Sequence, residues 1–407
     1  MESKDKRIEA FTNRQLFLTY MAQTSSEPIG LEMKKAEGIY IIDTNDKKYI
    51  DGIAGFSVNN IGHSHPVVVK AVQDQVAEYM HLIVYGEFIQ SPQASYAKLL
   101  TDHLPTHLNC VYFTNSGAEA VEGAMKLAKR VTNRPNIIAF KNAYHGSTQG
   151  ALSIMGDEYW RNAYRPLLSG ITHADYGNYS VIDLIDNNTA CIIMEVVQAE
   201  AGIKPANLEW LSAIRNKCNE TGTLLVFDEI QSGFGRTGSL WAFQQYGIEP
   251  DILLLGKALG GGMPLGAFIS SNEKMQALTD NPVLGHITTF GGHPVSCTAG
   301  KAALDVLLKN KWIGEIIHKE QILYKRLQHP LIKAAHRCGL WMALQFESFE
   351  INKAIIHNCI KNGLITDWFL FAPNCLRIAP PLSITETELH LLCDIIMESI
   401  TEFDTHK

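Results

Sequence analysis

Apolar and polar positions along the chain fall into two alternating patterns. Short, nearly continuous apolar runs end in a glycine or a polar turn. Between them lie longer segments whose apolar residues recur every three to four positions. The first pattern predicts buried strands over 111–114, 137–140, 191–197, 223–227, 252–255 and 265–270. The second predicts helices over 118–131 and 209–220, and one over 299–309 after Pro294. Upstream, the runs 38–43 and 48–51 read as a hairpin turning at 44–47. Pro66 opens a helix over 67–81, and a second helix covers 92–104. The tail from about 312 changes character, with helices over 315–327 and 352–362, strands at 339–346 and 376–378, and a last helix from Thr385. Strands alternating with helices imply an α/β fold with a largely parallel sheet covered on both faces. The tail reads as a smaller α+β lobe. In such sheets ligands sit beyond the carboxyl ends of the strands, so strand-end residues carry the functional reading.

Composition narrows this picture. With 407 residues, 46% of them hydrophobic, the chain can bury a large core in two or three units. A formal net charge of −7 argues against a nucleic-acid surface. No apolar run reaches the ~18 residues of a membrane span, and the start has no apolar segment of the signal-peptide kind. The eight cysteines are scattered without a C-x-x-C pair, which predicts reduced thiols in the cytosol and no zinc site. His63 and His65, beside Pro66, read as turn or core residues.

The chemistry concentrates at strand ends. Lys257 follows an apolar run and Gly256, and precedes Gly260, Gly261 and Gly262. Burial there depresses a lysine's pKa and frees a nucleophilic amine able to condense with a carbonyl; a solvated lysine after a strand is the alternative. Asp228 closes another apolar strand, followed by Glu229, Ile230 and Gln231. Such a carboxylate needs a cation or a cap, and a protonated ring nitrogen is one such cation. Ser116 and Glu119, with Gly117 and Ala118 between them, form an S-x-x-E pattern that caps a helix and also exposes amides to an anion. Tyr144 stands on the loop after strand 137–140, with His145, Gly146 and Ser147, and can stack on a flat ring or pack on the core. Glu195 and Glu200 end a further strand, and Arg377 precedes Pro380 and Pro381. An arginine there offers a bidentate fork to a carboxylate. Gly233, Gly235 and Gly238 match G-x-G-x-x-G, but several residues past their strand, so a dinucleotide site is rejected. There is no Walker A run, no G-x-S-x-G and no H-E-x-x-H.

Together these runs resemble the class III, or ornithine/acetylornithine-type, aminotransferases of pyridoxal phosphate fold type I. The resemblance extends from Gly38-Ile39-Tyr40 to Leu376-Arg377-Ile378-Ala379-Pro380-Pro381-Leu382, in the family's order and spacing. It implies a large domain at 67–311 with a mostly parallel seven-stranded sheet, a small α+β domain at 312–407, and residues 1–66 joining the small lobe. It implies that Lys257 binds pyridoxal 5'-phosphate covalently and moves the substrate proton, and that Asp228 keeps the ring nitrogen protonated. Gln231 contacts the phenolic oxygen. Ser116, Gly117 and Ala118 bind phosphate, and Tyr144 stacks on the ring with His145 beside it. Glu195 lies near the cofactor. Thr288 and Thr289 reach the neighbouring subunit's cofactor, which makes a homodimer with shared active sites. Arg377 takes the substrate carboxylate, with Glu200 as its gate. The implied reaction moves an amino group from an ω-amino donor such as ornithine, acetylornithine or 4-aminobutyrate to a 2-oxo acid by a ping-pong exchange. Two positions depart from the pattern. Ser147 stands where many relatives carry an arginine, and Phe56 where ornithine enzymes carry a tyrosine. Both changes lower the polarity of the substrate pocket and bring pyruvate, glyoxylate and ω-amine substrates into play. The same fold also supports aminomutases, decarboxylating transaminases and phospho-lyases.

Overall fold

In the computed structural model, which describes residues 11–84 and 88–405, the centre is a seven-stranded sheet. Its order is Cys110–Thr114, Gly266–Ser270, Ile252–Leu255, Leu224–Asp228, Thr189–Glu195, Asn136–Phe140, Ile171–Ala174. From Ile252–Leu255 to the Ile171–Ala174 edge every pairing is parallel. Gly266–Ser270 alone runs antiparallel to both its neighbours. Thr189–Glu195, Leu224–Asp228 and Ile252–Leu255 are buried at every position, which is why they read as unbroken apolar runs.

Strand periodicity sorts these residues into two cores. Leu224, Val226, Ile193 and Leu254 pack on one face against Val121, Ala124 and Ala128 of helix Gly117–Thr132. Leu225, Phe227, Ile192 and Leu253 pack on the other with Trp210 and Ile214 of helix Leu208–Thr221. Each buried Leu, Ile, Val or Phe side chain among them contributes about 1.5–3 kcal/mol. Gly123 lets the first helix lie close to the sheet, since a Cβ there would fall 2.3 Å from the Phe268 ring.

Two four-stranded sheets and a two-stranded ribbon of Val197–Gln198 with Lys204–Pro205 make up the other sheets of the described residues. Met33–Glu37, Tyr40–Asp43 and Lys48–Asp51 are joined by Leu364–Ile365 from far downstream, and Ala334–Arg337, Met342–Gln345, Ala372–Ile378 and Trp368–Phe369 form the other. Helices Phe349–Lys361 and Glu386–Thr405 accompany them. The single strand expected over 339–346 is instead a hairpin of Ala334–Arg337 with Met342–Gln345, turning near Gly339 at φ +70°. The loop expected up to Gly150 already holds helix Gln149–Ile154. His63 pairs with Asp51 at 2.8 Å, and His65 caps helix Pro66–Glu78.

Candidate active site

Parallel register brings the strand-end residues together. Asp228 pairs across the sheet with Glu195 on one side and Leu254 on the other. The chain leaving Leu255 therefore delivers Lys257 to the edge where the two carboxylates end. Lys257 sits at φ +49°, a left-handed conformation costly for a side chain with a Cβ, at the start of the short 3-10 turn Lys257–Gly260. Its Nζ donates to Gln231 Oε1 at 2.7 Å. Burial pulls the amine below its ordinary pKa, against the opposing charges of Glu200 and Asp228. A cavity of about 260 Å³ opens over this point.

Asp228 is held from behind. Its Oδ2 lies 2.7 Å from His145 Nδ1, and Oδ1 accepts from the Ile230 amide at 2.9 Å. His145 is 2% exposed. Burial alone depresses its pKa, but the hydrogen bond and charge of Asp228, with Glu195 adding, carry it above the ordinary value. Glu195 accepts from the Ala199 amide at 2.8 Å, and burial pushes its carboxyl up to about 8.

At the other end of the cavity helix Gly117–Thr132 begins. Ser116 Oγ accepts from the Glu119 amide at 3.2 Å, while the Glu119 carboxylate reaches back to the Asn115 amide at 2.8 Å. The box thus closes one residue early. The first-turn amides of Gly117 and Ala118 have no acceptor in the helix, and both residues line the cavity. Gly146, at φ +131°, brings the Tyr144–Ser147 loop against this turn; a Cβ there would lie 2.6 Å from the Ala118 Cβ. The Tyr144 hydroxyl lies 3.1 Å from Ser147 Oγ.

Beside Lys257 stands a buried ion pair. Arg377 Nη1 and Nη2 donate to Glu200 Oε1 and Oε2 at 2.8 and 2.9 Å. Burial disfavours the Glu200 anion, but Arg377 and the Leu370 amide hold it down at about 2. The Phe56 ring lies 5.2 Å from the guanidinium, on a residue at φ +63°.

Of the residues that the sequence pointed to, Ser116, Gly117, Ala118, Tyr144, His145, Ser147, Glu195, Glu200, Asp228, Gln231 and Lys257 all line the one cavity. Arg377 joins it through Glu200, and Phe56 through Arg377. Thr288 and Thr289 lie outside this lining; Thr288 Oγ1 instead accepts from Asn115 Nδ2 at 2.9 Å. Sequence reasoning missed Ser232, whose buried hydroxyl also lines the cavity, and Asp367, which binds Arg377 Nε at 2.9 Å. Ser232 is one residue beyond Gln231, a proximity that could have flagged it; Asp367 gave no signal. The G-x-G-x-x-G run proves structural. Its Arg236 is fully buried and donates to the carbonyls of Leu340 and Pro380 and to Asn60 Oδ1.

The donor set fits pyridoxal phosphate. Gln231 Nε2, Glu195 Oε1, His145 Nε2 and Ser232 Oγ are buried without a hydrogen-bond partner, a cluster of unmet polar atoms that a bound polar ring relieves. The first-turn amides suit a phosphate, Asp228 a ring N–H, and Lys257 an aldehyde. This fold and this site define a pyridoxal-phosphate enzyme of fold type I.

Comparison with known proteins agrees. Residues 20–400 match the family described as Aminotransferase class-III, and the chain belongs to it. The acetylornithine aminotransferase of Bacillus cereus is 34% identical over 391 residues, covering 95% of this chain and 97% of that protein. That of Methanopyrus kandleri is 36% identical over 381 residues, covering 92% and 95%. The ornithine aminotransferase of Toxoplasma gondii, described with partial occupancy of PLP at its active site, superposes with a TM-score of 0.88 at 27% identity, covering 96% of this chain and 93% of that one. An (S)-enantioselective omega-transaminase from Thermomicrobium roseum gives 0.88 at 25% identity, over 95% and 97%. The protein is a class III aminotransferase and its cofactor is pyridoxal 5'-phosphate.

Proposed function

We propose that the protein moves an amino group from a donor whose amine is remote from any carboxylate to a 2-oxo acid, by a ping-pong exchange. The observation that carries this is the closed Glu200–Arg377 pair beside Lys257. With the pair shut, an incoming donor meets no free guanidinium, so an ω-amine is favoured; ornithine, N-acetylornithine and 4-aminobutyrate have that shape. When Glu200 turns away, the fork of Arg377 takes the carboxylate of the 2-oxo acid.

Pyridoxal phosphate supplies an aldehyde and an electron-accepting ring. Lys257 holds it through its amine and, when released, moves the proton at the substrate carbon that carries nitrogen. Asp228, fixed by His145, keeps the ring nitrogen protonated. Gln231 would meet the phenolic oxygen through its unpartnered Nε2, Ser116, Gly117 and Ala118 would hold the phosphate, Tyr144 would cover the ring, and Glu195 flanks Asp228.

A homodimer with shared sites belongs to this reading. Met80, Ile83, Phe88, Ile89, Val283, Leu284, Ile287 and Phe290 are exposed, and His81 and Phe290 meet at 4.8 Å between ring centroids. An apolar surface of this kind supports a subunit interface, and it adjoins Thr288 and Thr289, which in this reading would complete the partner's site. The division into a 67–311 domain with 1–66 and 312–407 as the small lobe, of which 1–10, 85–87 and 406–407 lie outside the described residues, is supported by the pairing of Leu364–Ile365 with Lys48–Asp51. The described cysteines are all free, in keeping with the cytoplasm, and the setting is amino acid metabolism.

The acceptor has a second reading. At Ser147 the cavity carries two hydroxyls 3.1 Å apart where many relatives carry a cation, which favours pyruvate or glyoxylate over 2-oxoglutarate. The test is a panel of ornithine, N-acetylornithine, lysine, 4-aminobutyrate, putrescine and β-alanine against the three oxo acids. Transfer that depends on an oxo acid supports the proposal. Turnover of a donor without one points instead to an aminomutase or phospho-lyase, and transfer with release of carbon dioxide to a decarboxylating transaminase.

A further inference from the structure

Arg377 is held by more than Glu200. Its guanidinium is 2% exposed, so its N–H groups need acceptors inside the protein. While Nη1 and Nη2 face Glu200, Nε donates to Asp367 Oδ1 at 2.9 Å and Nη2 also donates to the Trp368 carbonyl at 3.0 Å. The same stretch of chain holds Glu200. The Leu370 amide donates to Glu200 Oε2 at 2.9 Å and the Phe371 amide to the Glu200 carbonyl at 3.0 Å. The Arg377 amide donates to the Asp367 carbonyl at 2.9 Å, and Thr366 Oγ1 donates to the Arg377 carbonyl at 2.6 Å. The Phe369 ring lies 4.2 Å from the guanidinium carbon. One short segment, 366–371, therefore grips both members of the pair.

We propose that Asp367 is a positioning residue for the substrate carboxylate: by taking Nε it fixes the rotation of the Arg377 guanidinium, so that Nη1 and Nη2 still face the cavity after Glu200 leaves. This rests on the assignment of Arg377 as carboxylate site and deepens it. The guanidinium donors form a rigid planar fork, so fixing one edge fixes the other. Without Asp367, departure of Glu200 leaves a buried cation with neither carboxylate, oriented only by the Trp368 carbonyl and the Phe369 ring, and opening is opposed. Asp367 serves as the standing partner and Glu200 as the exchangeable one. Burial raises the Asp367 carboxyl to about 6, with the charge of Arg377 opposing.

The test compares cofactor-loaded wild type, Asp367→Ala and Asp367→Asn. Glutarate, which has carboxylates but no amine or keto group, is titrated by calorimetry; KM and kcat are measured with pyruvate; Tm is recorded. In Asp367→Ala, glutarate binding weakens about tenfold or more and KM for pyruvate rises similarly, with kcat changed less than about threefold. Asp367→Asn, which keeps an oxygen for Nε, lies closer to wild type. Equal glutarate affinity in all three proteins overturns the proposal. So does a loss confined to Tm and kcat, as a merely structural tie would give. A wild type whose glutarate affinity depends on Asp367 yet which transfers no amino group sinks the transaminase reading and leaves this one standing. A wild type that transfers normally, with Asp367→Ala unchanged, does the reverse.

Discussion

His145 Nδ1 and Asp228 Oδ2 lie 2.7 Å apart, both nearly excluded from solvent. The imidazole fixes one oxygen of Asp228 and the Ile230 amide fixes the other, so the carboxylate is aimed before anything binds. On the proposed assignment, Asp228→Asn removes the charge that would keep the ring nitrogen protonated. The donor half-reaction, followed as decay of the cofactor's visible band in stopped flow, is expected to slow about 10²-fold or more. His145→Ala, which spares the charge and loosens its aim, is expected to slow it less.

The Glu200–Arg377 pair sets a second expectation. Arg377→Ala strands Glu200 and Asp367 as buried carboxylates without their cation, and should cost about 3–5 kcal/mol in denaturant unfolding. Glu200→Gln combined with Arg377→Ala removes one stranded charge, so the double variant should be more stable than Arg377→Ala alone. Equal stability of the two would show the pair to be uncoupled.

Strand-end chemistry was legible in the sequence because parallel strands read as apolar runs, and whatever follows them lies at one edge. Lys257, Asp228, Glu195 and Ser116 were found in that way. The antiparallel Gly266–Ser270 strand carries the same apolar pattern as its parallel neighbours, so its direction was hidden. The short Ile171–Ala174 edge strand contains Thr172 and His173 and lacks an apolar run. Asp367 was invisible because its meaning comes from the hairpin that folds Trp368–Phe369 back on Ala372–Ile378. The bond from His145 to Asp228 spans 83 positions in sequence, which no local pattern announces.

Glu195 makes stability depend on pH. Burial raises its carboxyl from about 4.5 to about 8, so the folded protein binds a proton that the unfolded chain gives up. The resulting stabilisation is full below pH ~4.5 and is lost as pH rises through 8. Glu195→Gln mimics the protonated form. Cofactor-free protein carrying it should melt a few degrees higher than wild type at pH 8.5, with a smaller gain at pH 5. The opposite order would place the ionised form as the native one.

Ser147 offers a test of acceptor choice. Ser147→Arg places a cation beside Tyr144 in the cavity, and should raise kcat/KM for 2-oxoglutarate relative to pyruvate about tenfold. An unchanged ratio would mean that this position does not meet the acceptor's distal carboxylate.

Lys257 carries the central claim, with its depressed amine, its strained backbone and its bond to Gln231. The direct measurement is borohydride reduction of the cofactor-loaded protein followed by peptide mapping. Pyridoxyl label on Lys257, absent from Lys257→Ala along with amino transfer, is the predicted result. Label on a different lysine, or an undiminished visible band in Lys257→Ala, would contradict it.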